Sequence, residues 1–136
     1  MAMQYNDPIL ERLVDDHFRP AVAQAGFELR LLKDKPAAGI IDNRMRVEIR
    51  RSRIAVCDLT HGNKGAYWEA GFAEGLGLPV IYTCEESALK DAKLHFDTRN
   101  CQVVPWTVDQ PQRAAEMLRD TIRNTLPTEA SLDDPE

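Results

Sequence analysis

The sequence predicts an α/β fold: a doubly wound sheet of five parallel strands in the flavodoxin-like order 2-1-3-4-5, with helices on both faces. Three observations predict it. Residues 53–83 read as strand, loop, helix and strand, a βαβ unit whose crossover is right-handed and whose strands run parallel. The two apolar runs of that unit, Ile54-Ala55-Val56-Cys57 and Val80-Ile81-Tyr82, lack polar alternation, as strands covered on both faces do. The remaining chain alternates short apolar runs with helical patterns, which is how doubly wound sheets are built.

Taken in order, residues 1–5 (MAMQY) give a very short first strand. Asn6-Asp7-Pro8 starts a helix, with a capping side chain and a proline in the first turn. Ile9, Leu10, Leu13, Val14, Phe18, Ala21, Val22 and Ala25 recur at three-to-four spacing until Gly26, and Pro20 is expected to kink this helix or break off its last turn. Residues 27–32 are the second strand and 33–39 a polar loop. A second helix spans 40–51. Ile41, Met45 and Ile49 form its apolar face, and Arg44, Arg46, Glu48, Arg50 and Arg51 form a basic face that reads as solvated or as phosphate-attracting.

The third strand ends at Asp58, and a polar loop over 59–64 leads to a helix over 65–76 with Ala66, Ala70, Phe72, Ala73 and Leu76 as its apolar and small positions. Gly77 and Pro79 end that helix before the fourth strand. Residues 85–100 have no clean period, with one or two helical turns at 88–94. A fifth strand covers 101–106 and a last helix 110–126, stopped by Pro127. The reading is therefore one domain over 1–127 and a disordered acidic tail over 128–136.

Composition narrows the function classes. A length of 136 residues suits one domain, and 17 basic against 22 acidic residues give a net charge of −5, which argues against a nucleic-acid polymer as partner. No apolar run approaches the ~20 residues of a membrane span, and the chain is polar by Asn6, so a cytoplasmic protein is expected. Cys57, Cys84 and Cys101 border predicted strands and read as buried thiols. No spacing suggests a metal site, and no phosphate loop, GxGxxG turn or GxSxG elbow is present. No metal or organic cofactor is expected.

Ligands of open parallel sheets bind beyond the carboxyl ends of the strands. That places Asp58, the following loop and the first turns of the next helix at the expected site, with residues 3–5 alongside. Glu69 is the principal candidate. It reads as a carboxylate able to attack an electrophilic carbon, or as a capping glutamate that satisfies helix amides. Asp58 either orients a ligand hydroxyl or caps the loop. Asn63 and Gly65 either bring donors to a ligand or are turn residues. Of Tyr67 and Trp68, one is expected to face a pocket or partner and the other the core. Asp97 and Arg99 precede the last strand and could reach the site, or lock their own loop. His61 and His95 are loop histidines with possible acid/base roles.

Ala55-Val56-Cys57-Asp58-Leu59-Thr60, then Gly65-x-Tyr67-x-Glu69-x-Gly71-x-Ala73, then Gly77-x-Pro79-Val80-Ile81 resemble the nucleoside 2-deoxyribosyltransferase superfamily. Phe96-Asp97-Thr98-Arg99 and Ile41-Asp42-x-Arg44 look like a subgroup of small bacterial proteins with unassigned substrates. The resemblance implies an enzyme, an N-glycosidase or deoxyribosyltransferase, in which Glu69 attacks the anomeric carbon of a nucleoside or nucleotide. Asp58 and Asn63 would position the sugar, and Tyr5, Tyr67 or Trp68 would line the base pocket. The family usually has an aspartate six residues before its glutamate, where this chain has Asn63. A non-catalytic nucleotide-sensing module and a TIR-like NAD-cleaving enzyme are the alternatives. Trp68, Phe72 and Trp106 on a small domain, with relatives that complete their sites across subunits, imply a homodimer or larger assembly.

Overall fold

The computed structural model describes residues 1–31, 41–89 and 103–134. Its elements are α1 (Pro8–Leu13), a π-helical turn (Val14–Phe18), α2 (Arg19–Gln24), α3 (Ile41–Arg51), β1 (Ala55–Asp58), α4 (Lys64–Gly75), β2 (Val80–Glu85), β3 (Val103–Trp106) and α5 (Pro111–Thr125). The expected loop at 33–39, the turns at 90–94 and the stretch 95–102 lie outside the described residues, and with them His95, Asp97, Arg99 and Cys101.

The five-stranded doubly wound sheet is not what forms. The described residues make a three-stranded, all-parallel open sheet in the order β1-β2-β3, with four helices when α1, the π turn and α2 are taken as one. The two missing strands have physical reasons. Ala2 makes a single parallel bridge to Cys57: its N–H donates to the Val56 carbonyl at 2.8 Å and its carbonyl accepts the Asp58 N–H at 2.9 Å. One bridge does not make a strand. Over 27–31 the chain enters no ladder among the described residues, and the carbonyls of Leu29 and Arg30 find other donors. The Arg19 guanidinium bonds the Leu29 carbonyl at 2.8 Å, and the Met1 ammonium bonds the Arg30 carbonyl at 2.6 Å. Leu29 and Leu31 are buried all the same. Their apolar character reports burial, not pairing.

The chain divides into two compact units. In Met1–Gln4 with Arg30–Val103, β1 and β2 pair in parallel from Ala55↔Val80 to Asp58↔Thr83. Cys57, Tyr82 and Cys84 are buried with Ala2, Leu59, Ala66 and Ala70 in one core, and Tyr67, Val80 and Leu89 pack against it. Ala66, Ala70 and Ala73 are all buried and lie on one line of α4. Small side chains on that line let the helix lie close to β1.

The second unit comprises Tyr5–Leu29 and Val104–Glu136. Asp7 caps α1, accepting the Ile9 and Leu10 N–H groups at 2.9 and 3.2 Å, with Pro8 in the first turn. Pro20 has no N–H to return to residue 16. The helix widens into its π turn just before it, where the Arg19 N–H reaches back five residues to Val14. Leu10, Leu13, Val14, Phe18, Ala21 and Val22 are buried here with Ala114, Ala115, Leu118 and Ile122 of α5. Arg123 holds the acidic segment that follows: its Nε donates to the Ser131 carbonyl at 2.8 Å and its Nη1 to Asp134 at 2.9 Å.

Leu118 has no solvent exposure at the centre of this second core. Leu118→Ala is expected to lower unfolding free energy by about 2–5 kcal/mol through lost transfer energy and a cavity. Urea denaturation followed by circular dichroism checks it.

Candidate active site

The residues placed together by the sequence reading separate into two groups. Asp58, Asn63 and Gly65 sit where β1 passes into α4, and their polar atoms serve the fold. Asp58 is 2 % exposed; Thr83 Oγ1 donates to its Oδ2 at 2.7 Å and the Thr60 N–H to its Oδ1 at 3.0 Å. Asn63 caps α4, its Oδ1 accepting the Ala66 N–H at 3.0 Å while its Nδ2 donates to Gln4 at 2.5 Å. A Cβ at residue 65 would lie 3.1 Å from Asn63 Oδ1, so glycine there makes room for the cap.

Glu69 lies six residues beyond the Asn63 cap, nearly two turns into α4 and near its middle. The capping reading is therefore excluded, and so is the expectation that helix amides favour its ionised form. Glu69 lines a cavity of about 70 Å³. Room of that size is about two waters at liquid density. The wall is mostly apolar, from Met45, Ile49, Ile54, Ala55 and Val56 among others, with Glu48, Arg30 and Ser52 as polar members. Burial pushes the Glu69 carboxyl up from its ordinary 4.5 to about 7, against a smaller downward pull from the Met1 ammonium. Among the described residues no hydrogen bond or ion pair reaches that carboxyl. Asp58 and Asn63 are not part of this wall. The cavity runs along β1 beneath α3 and α4, not beyond the carboxyl ends of the strands.

Of the two aromatic residues expected to divide between core and pocket, neither lines the Glu69 cavity. Tyr67 packs against the core, and burial raises its phenol pKa. Trp68 is 43 % exposed and stacks on Phe72 with ring centroids 5.4 Å apart. The Arg46 guanidinium sits 5.5 Å from the Trp68 ring and that of Arg50 5.5 Å from Phe72. Part of the basic face of α3 is thus spent on cation–π contacts with α4. Tyr5 belongs to the second unit. Cys57 and Cys84 are buried free thiols pushed up to about 12, first by burial and then by Asp58, which leaves them protonated. Among the described residues no helix is long and apolar enough to cross a membrane.

The sequence reading missed the polar wall. It assigned Glu48 to the basic face of α3, yet Glu48 lines the cavity with Met45, Ile49 and Ser52. The signal was present: residues 45, 48, 49 and 52 fall on one helix line. Arg30 pairs with Glu48 at 3.2 Å. No protein-family model, curated protein or solved structure matches this chain.

The raised Glu69 carboxyl has a consequence for stability. Between pH 4.5 and about 7 the folded chain holds a proton that the unfolded chain has released. This contribution to stability is fully present below pH 4.5 and is lost as pH rises through about 7. Glu69→Gln is neutral at every pH. Its Tm is expected to exceed that of the native chain at pH 8, with the gap closing towards pH 4.5. Paired thermal melts across that range check it.

Proposed function

We propose that this protein is a nucleoside or nucleotide N-glycosidase, or a deoxyribosyltransferase, with Glu69 as nucleophile. The observation that carries the reading is a desolvated carboxyl, unpartnered among the described residues, in the wall of a mostly apolar cavity. The motif resemblance around Glu69 supports the same assignment.

The chemistry follows from that placement. The ionised Glu69 oxygen bonds to the anomeric carbon as the C–N bond breaks through an oxocarbenium-like state. The electron pair of the C–N bond leaves with the base, which takes a proton from solvent. Water then bonds to the same carbon, the ester C–O bond breaks, its electron pair returns to Glu69, and the water's proton is released. A second base in place of water gives transfer. The apolar wall keeps bulk water from the carboxylate, so its charge acts at short range on the developing cation. Only the ionised form attacks, so activity rises with pH through about 7.

A nucleotide-sensing module is the second reading. It is favoured by Asp58 and Asn63, whose side chains make hydrogen bonds within the fold.

The deciding assay incubates the protein with nucleosides, nucleotides and NAD and measures released base by chromatography. Free base is expected, with kcat/KM rising with pH through about 7, and Glu69→Gln is expected to lower the rate about a thousandfold or more while folding normally. Binding without release supports the sensor. Full activity in Glu69→Gln overturns the nucleophile.

A further inference from the structure

We infer that the Arg30–Glu48 pair is a diol clamp that orients the sugar in the Glu69 cavity, so that the preferred substrate carries a ribose with both its 2′- and 3′-hydroxyls. This inference rests on the proposed reading of the cavity and narrows it to the N-glycosidase acting on ribosides, setting the deoxyribosyl-transfer branch aside.

Glu48 is out of place on its helix face. Its neighbours on the same line, Met45 and Ile49, are apolar, and all three line the cavity with Glu69. Arg30 comes from a separate stretch of the same unit and also lines it. The pair meets at 3.2 Å through Glu48 Oε2 and Arg30 Nη1, with each side chain about a quarter exposed. A half-open pair of this kind stabilises a fold by only about 0–1 kcal/mol. Stability alone is a weak reason to set a carboxylate in an apolar wall.

The atoms left over have the right chemistry. Among the described residues Glu48 Oε1 takes no hydrogen bond, and Arg30 uses one of its five N–H donors on Glu48. A carboxylate oxygen beside guanidinium donors matches a vicinal diol: one hydroxyl donates to Oε1 while the other accepts from Arg30. Ser52 does not compete, because its hydroxyl donates to the Glu48 backbone carbonyl at 2.7 Å. Asp58, given the sugar-orienting role by resemblance, has both oxygens engaged elsewhere.

The test compares matched β-nucleosides of one base with ribose, 2′-deoxyribose and 2′,3′-dideoxyribose. Base release gives kcat and KM, and calorimetry gives Kd on the same proteins. In the native chain the riboside is expected to show KM and Kd at least ~10-fold below the dideoxy analogue, with the 2′-deoxy sugar between them. In Glu48→Ala the three sugars are expected to converge, and Glu48→Gln, which keeps an acceptor without the charge, should fall between. These are ratios within one protein, so a partly unfolded variant does not distort them. A native chain indifferent to the hydroxyls, or a preference that survives Glu48→Ala, overturns the clamp even if base is released. Diol-dependent, Glu48-dependent binding without base release sustains the clamp and overturns the glycosidase. Absence of both binding and release overturns both.

Discussion

The buried carboxylate of Asp58 is the constraint on which the first unit depends. A carboxylate taken out of water is costly unless its lone pairs are bonded. Here Thr83 on β2 and the Thr60 backbone supply those bonds. They fix the carboxyl end of β1 against β2 in one register, which the Leu59 N–H reinforces at the Thr83 carbonyl, 2.8 Å away. Thr60 also accepts the Glu85 N–H at 3.0 Å. With the loop pinned at Thr60, Asn63 falls where it can cap α4. The rotation of α4 is then set: its alanine line meets the core, and Glu69 falls among the residues that line the cavity.

Two acidic side chains eleven residues apart thus have opposite situations. Asp58 is more deeply buried and fully bonded, so it acts as a structural tie. Glu69 is less buried, but its carboxyl faces an apolar wall without a bond among the described residues, and its proton affinity rises to about 7. Groups displaced in this way are where chemistry is found, because the uncompensated charge is available to a ligand. The ion pair of Arg30 and Glu48 on the same wall gives the cavity polarity without neutralising Glu69.

Much of this was readable from residues. β1, α3, α4 and α5 formed within a residue or two of the spans expected, β2 ran three residues past Tyr82, and Pro20 disturbed its helix as proline should. The first two strands were misread because an apolar run such as MAMQY, or residues 27–31, signals burial and carries no information about which donors will claim its carbonyls. The site was half readable. The motif marked Glu69, but strand-end logic grouped it with Asp58 and Asn63, and only the three-dimensional hydrogen bonds show those two turned inward. Glu48 was hidden by its arginine neighbours, although its spacing from Met45 and Ile49 put it on their line.

The central claim is that Glu69 becomes bonded to the sugar. The most direct measurement is mass spectrometry of the protein, then of its peptides, after incubation with a saturating 2-fluoro-arabinosyl nucleoside, whose fluorine slows loss of the covalent intermediate. The account predicts one added fluorosugar, on the peptide that contains Glu69. Release of base with no adduct, or an adduct on any other residue, would contradict it.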